Sequence, residues 1–161
     1  MSVDGTDFRI AMPYVKEYYS YKFKKCGLRY EVGINIQTGD ICWWYGPFEP
    51  GEWNDEMIFK SCLEGSLEPG ERVETDKGYR GCARTTVNCP PYEIPSRRKM
   101  CAQVRSRHET CNARFKSWNI LVAAFRHGIY DHQLVFGAVV CMTQLSIENG
   151  EPLYQVGYHM E

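Results

Sequence analysis

Apolar and polar positions alternate most cleanly in LRYEVGINIQTGDICWWYG. Tyr30, Val32, Ile34 and Ile36 fall on one face, Thr38-Gly39-Asp40 turns the chain, and Ile41, Trp43 and Tyr45 resume the pattern. A period of two around a glycine-containing turn predicts an antiparallel hairpin. The weaker alternation of VDGTDFRIAMP through Phe8 and Ile10 predicts a short first strand ended by Pro13. GPFEPGEW, with two prolines and two glycines in eight residues, reads as a loop. RVETD predicts a fourth strand that carries Asp76 at its tip.

Helical spacing appears in three places. NDEMIFKSCLEGSL has Asn54 as an N-cap, acids in its first turn, and Met57, Ile58 and Leu63 as an apolar set. From about Ser96 to His127 neither proline nor glycine interrupts the chain, and Val104, His108, Cys111, Phe115, Trp118 and Val122 step by four and three. That stripe predicts a long amphipathic helix, broken once at most, on which His108 is a packed histidine rather than a ligand. LVFGAVVCMTQLSI suits helix or strand by length, and the helix before it favours helix. Between the fourth strand and the long helix, GCARTTVNCPPYEIPS is turn and loop. The order is strand, hairpin, helix, strand, loop, long helix, helix: an α/β chain without repeat or linker.

At 161 residues this is one domain with a real core, and a charged fraction of 24% places it among globular chains. No apolar run approaches the roughly twenty residues of a membrane span, and no signal peptide is legible, so a soluble protein is expected. Cys26, Cys42, Cys62, Cys82, Cys89, Cys101, Cys111 and Cys141 show no CxxC spacing. Free thiols in a reducing compartment are therefore expected; a cysteine-rich metal scaffold would require bound zinc.

Charge is uneven. Residues 31–76 hold eleven Asp and Glu against two Lys and Arg, whereas residues 77–127 hold eleven Lys and Arg against Glu93 and Glu109. An acidic site beside a polyanion-binding face would produce this asymmetry, and so would a solvated, salt-bridged surface.

Three acids then have positional meaning: Asp4 on the first strand, Asp76 at the tip of the fourth, and Glu109 on the long helix. If those strands are neighbours with the helix across them, the carboxylates converge. Converging carboxylates repel unless a cation lies between them. All-oxygen donors with open positions suit Mg²⁺ or Mn²⁺, and two such ions about 4 Å apart serve phosphodiester displacement. Arg105, Asn112 and Lys116 lie on the Glu109 side of the helix, where the cations would grip a phosphate backbone. Plainer readings stand beside these: Asp76 as a turn former before Gly78, and Arg105 with Glu109 as a surface i,i+4 ion pair.

VDGTDF, LRYEVGINIQTGDI, GPFEPGEWND, TDKGYRG and RSRHETCNARFKSW followed by FRH together resemble the nuclease domain of DDE-type transposases, closest to the PIF/Harbinger class. The resemblance covers about residues 3 to 158. It implies an RNase H-like fold, a mixed sheet flanked by helices, with Mg²⁺- or Mn²⁺-dependent (two-ion) DNA cleavage and strand transfer. By motif position its catalytic, metal-holding acids fall on Asp4, Asp76 and Glu109. Asp55 matches an accessory acid and is a further candidate metal contact, although Trp53 and Asn54 depart from the usual residues there, and a first-turn helix acid is the plainer explanation.

The chain is thus expected to be a single nuclease domain over 1–161, shortened at its N-terminal end, with no helix-turn-helix or zinc-finger pattern. DNA is the expected partner, and Arg80, Arg105, Lys116 and the Arg97-Arg98-Lys99 cluster are candidates for its backbone. Ordinary surface charge explains that cluster at least as well. Sequence recognition would fall to a missing domain or a separate DNA-binding partner protein, a homo-oligomer stays open, and the family implies the nucleus. The alternative is a catalytically decayed DNA-binding or interaction module that keeps salt-sensitive binding when its acids are neutralised.

Overall fold

The computed structural model describes residues 1–86 and 95–157. Four strands form one sheet: β1 (Ser2–Arg9), β2 (Tyr19–Ser20), β3 (Lys25–Ile34) and β4 (Ile41–Phe48). β3 is central, with β1 along one edge and β4 and the short β2 along the other, every pairing antiparallel. Among the described residues there are four α-helices, α1 (Asp55–Cys62), α2 (Pro95–Ser117), α3 (Asn119–Val122) and α4 (Ile129–Glu148), and two short 3-10 turns, Glu64–Ser66 and Lys77–Tyr79.

The alternation along β3 divides the interior in two. Leu28, Tyr30, Val32 and Ile34, with Phe8 of β1, pack against Cys111 and Phe115 of α2 and Phe136 and Val139 of α4. On the opposite face Val3 joins Phe59 of α1, Leu63, Leu67, Val73, Tyr79 and Cys82. Each face buries apolar surface worth roughly 25 cal/mol per Å², so the sheet is covered on both sides and its polar side chains must find partners.

The hairpin forms, with Tyr30, Val32 and Ile34 buried, but Ile36 lies beyond β3 in the turn, and register shifts break the expected alternation of β4: Trp44 rather than Trp43 joins Ile41 on the Tyr30 side, and Tyr45 is exposed. β4 runs on through Phe48, so the predicted loop begins later; Pro47 is tolerated on the edge of the sheet. α1 starts where its cap predicts: Asn54 accepts a hydrogen bond from the Met57 amide.

The predicted fourth strand is reduced to isolated parallel bridges, Ser2 with Glu74 and Val73 with Thr85. Its amides are nonetheless engaged: Val3 N–H donates to the Glu74 carbonyl (2.9 Å) and Glu74 N–H to that of Met1 (3.1 Å). Among the described residues, these bridges and one between Ile10 and Phe125 are isolated parallel contacts, and the sheet itself is antiparallel where a mixed sheet was expected. Both contacts to β1 lie on its outer edge, and Asp4 to Phe8 lie between them. Part of the loop after Thr86, with Cys89 and Glu93, lies outside the described residues.

The long helix ends at Ser117, whose hydroxyl donates to the Arg114 carbonyl, and Trp118 is extended (φ −74°, ψ 120°). The apolar stripe holds through Phe115 and then fails: Trp118 and Val122 are exposed, and Leu121 takes the buried place. α4 is the helix favoured for the last apolar segment. Arg107, wholly buried on α2, donates through Nη2 to the carbonyls of Asn35 (2.9 Å) and Ile36 (2.8 Å) and ties the helix to the hairpin turn.

Candidate active site

Asp4 faces α2 because β1 places Ser2, Asp4, Thr6 and Phe8 on the side that the helix covers. Its Oδ2 accepts from Asn112 Nδ2 at 3.1 Å. One turn earlier on α2, His108 Nε2 meets the Ser2 hydroxyl at 2.8 Å, so helix and strand are fastened beside the acid. Burial holds the His108 imidazole down near pH 4, and it is neutral at ordinary pH.

Asp76 reaches the same place from the bridge beside β1. Its Oδ1 accepts from the Gly78 amide at 2.7 Å and caps the short 3-10 turn Lys77–Tyr79, so the turn-forming role is real. It also raises the pKa of Asp4. Burial is the larger cause of that shift, opposed by Lys22, and Asp76 and Asp55 add to it, which together bring the Asp4 carboxyl up to about 6.

Glu109 is exposed on α2 and completes the set. Asp4, Asp76 and Glu109, with Glu74, Arg105 and His108 among their neighbours, line one cavity of about 100 Å³. No ion pair joins Arg105 to Glu109 among the described residues; both line this cavity. Arg80 is exposed just past the Lys77–Tyr79 turn. The Lys116 ammonium lies 5.6 Å from the Phe8 ring centroid, and partial burial, then neighbouring Lys22, lowers its pKa.

Asp55 stands apart from the cavity lining. It forms an ion pair with Arg29 (3.1 Å), whose guanidinium also makes a two-point contact with buried Asp7 (2.8 and 3.2 Å). Yet Asp55 is close to Asp76: a Cβ placed on Gly78 would lie 2.9 Å from Asp55 Oδ2 and 3.0 Å from Asp76 Oδ1. Burial first, partly offset by Arg29 and reinforced by the like charges of Asp7 and Asp76, raises the Asp55 pKa.

Behind these acids lies Glu31, fully buried on β3, with neither carboxyl oxygen in a full hydrogen bond. Burial and then Asp55 raise its pKa well above the ordinary value, while the nearby Tyr79 hydroxyl pulls the other way. The sequence signal for Arg29 and Glu31 was present in LRYEVGI, where both occupy the face opposite Tyr30 and Val32. Their pairing across the sheet was not legible.

The donor set fits a hard divalent cation in chemistry. It offers carboxylate oxygens, mutual repulsion that a cation would relieve, and an open cavity. Among the described residues, however, no three carboxylate, imidazole or thiol side chains are grouped tightly enough to hold a metal ion as they stand.

The profile of a family described as DDE superfamily endonuclease matches residues 3–144. The chain belongs to this DDE endonuclease family. Neither a curated protein nor a solved structure matches it. Membership supports a nuclease at the family level, typically dependent on divalent metal, with DNA as the implied substrate. No described helix of this DDE endonuclease family member is long and apolar enough to cross a membrane.

Proposed function

We propose that this chain is a transposase-type DNA endonuclease of the PIF/Harbinger class, a single RNase H-like domain in which Asp4, Asp76 and Glu109 hold two Mg²⁺ or Mn²⁺ ions. The observation that carries it is the convergence of these acids, drawn from β1, the bridge beside it and α2, on one cavity. Bound divalent ions would supply activation of a nucleophile and stabilisation of the leaving oxygen.

The chain's own residues do the rest. Asn112 orients Asp4 through Nδ2, and the Gly78 amide orients Asp76. Arg105, at the cavity wall, and Arg80 and Lys116, outside it, contact the DNA backbone without reading sequence. Asp55 is accessory, near Asp76 across Gly78 but ion-paired with Arg29. Sequence recognition falls to a further domain or to a separate DNA-binding partner, and the protein acts in the nucleus.

A second reading, a decayed module that binds DNA without cutting it, is favoured by the loose spacing of the acids. Nicking of supercoiled plasmid in Mn²⁺ or Mg²⁺ separates the two. The nuclease reading expects nicking by the wild type that vanishes in Asp76→Ala at matched folding. A folded wild type that binds DNA but never nicks it overturns that reading in favour of the second. Equal nicking by both proteins overturns the role of Asp76.

A further inference from the structure

The stretch YVKEYYSYKFKK, residues 14–25, holds five aromatics and four lysines against one acid. In the structure it wraps the short strand β2 beside the candidate site. Ser20 faces inward: its hydroxyl donates to Asp7 Oδ2 (2.5 Å) and accepts from the Lys22 amide (3.3 Å), and Asp7 is itself held by Arg29. With Ser20 pinned inside, Tyr19 before it on β2 is half-buried and Tyr21, just past the strand, is exposed.

There the rings gather. Tyr19 lies between Tyr14 (centroids 5.4 Å) and Tyr21 (5.2 Å), each pair edge to face, and Tyr14 and Tyr21 remain 71% and 70% exposed. A core cluster would have buried these rings; this one spends its area on solvent. Lys22, next along the chain, turns toward the acids: its Nζ is 3.5 Å from the Gly5 carbonyl, and its charge holds down the pKa of Asp4. Lys16, Lys24 and Lys25 of the same stretch are also exposed. Anchored, exposed aromatic rings among lysines are the elements by which proteins hold unpaired nucleic-acid strands, with bases on the rings and phosphates on the cations.

We infer that Tyr14, Tyr19 and Tyr21 form a stacking platform for a single-stranded stretch of DNA, which Lys22 leads from the platform to the Asp4–Asp76 cavity. This deepens the proposed function and rests on it for the identity of the substrate. The site would then take DNA whose strand is unpaired on one side of the cut, such as an overhang or a melted end.

The test is fluorescence anisotropy of a labelled (dT)12 oligonucleotide and of a labelled duplex, both in EDTA, so that neither metal nor cleavage enters. The expected result is salt-dependent (dT)12 binding that weakens about ten-fold or more in Tyr14→Ala/Tyr21→Ala, returns in Tyr14→Phe/Tyr21→Phe, and is paralleled by little change for the duplex. Both rings are exposed, so their removal leaves the fold intact, which circular dichroism checks. Unchanged (dT)12 affinity in the alanine variant, or equal losses for single strand and duplex, overturns the platform. Tyrosine-dependent (dT)12 binding by a protein that never nicks plasmid upholds the platform while the nuclease reading fails. Nicking that persists without tyrosine-dependent binding does the reverse.

Discussion

Asn112 Nδ2 on α2 donates to Asp4 Oδ2 on β1 across 3.1 Å. The Asn112 carbonyl oxygen on the same side chain is buried without a partner, so the amide is oriented by its donor end alone. Asn112→Leu leaves Asp4 free to rotate while preserving side-chain volume. We expect Mn²⁺-dependent nicking to fall roughly 100-fold, as a displacement on the order of 1 Å costs. Asn112→Asp should do worse by adding a like charge. Steady-state nicking rates against metal concentration check both.

Asp4 also sets a pH dependence. Its carboxyl titrates near 6 in the folded chain against an ordinary 3.8, so its contribution to stability is fully present below about pH 3.8 and is lost as pH rises through about 6. The buried imidazoles of His108 and His132, both lowered to about 4, act oppositely: their contribution is present above 6.5 and lost as pH falls through about 4. Comparing the wild type with Asp4→Asn cancels the histidines. Urea denaturation should show the variant more stable by on the order of 1–3 kcal/mol at pH 7.5, with the difference vanishing toward pH 4.

Arg29 joins Asp7 of β1 to Asp55 of α1 and donates to the Trp53 carbonyl at 3.1 Å. Arg29→Met would leave the buried Asp7 carboxylate without its cation, and we expect a loss of about 3 kcal/mol in denaturation. Arg29→Lys should recover little, because an ammonium cannot make the two-point contact.

Gly78 offers a test that adds no charge. A methyl group there would approach Asp55 Oδ2 at 2.9 Å and Asp76 Oδ1 at 3.0 Å and push the carboxylates apart. Gly78→Ala is expected to reduce nicking at least ten-fold while shifting the denaturation midpoint little, because the new methyl meets side-chain atoms and no backbone. A fully active Gly78→Ala would remove Asp76 from the mechanism.

The local elements were legible wherever one rule governed them. Tyr30, Val32 and Ile34 predicted β3 by alternation, and Asn54 predicted the start of α1 by its side-chain oxygen. The placement of Asp4, Asp76 and Glu109 along the chain was likewise readable, and the structure brings them to one cavity. What failed was decided by long-range packing. Val73 and Glu74 look like a strand, yet only single bridges form there. Trp118 and Val122 continue the helical stripe, but the chain turns after Ser117 and buries Leu121 instead. Lys22, Arg29 and Glu31 matter through contacts across the sheet, for which no spacing in the sequence is a signal.

Arg107 gives the fold a consequence of a different kind. Its guanidinium grips the carbonyls of Asn35 and Ile36 at the hairpin turn, and Glu109 follows two residues later on the same helix. A rod keyed at one point cannot roll about its long axis. The azimuth at which Glu109 leaves α2 is therefore indexed both by a turn more than seventy residues away in sequence and by the His108–Ser2 and Asn112–Asp4 contacts to β1, so a one-residue insertion in that turn would reach the acid as torque between the two.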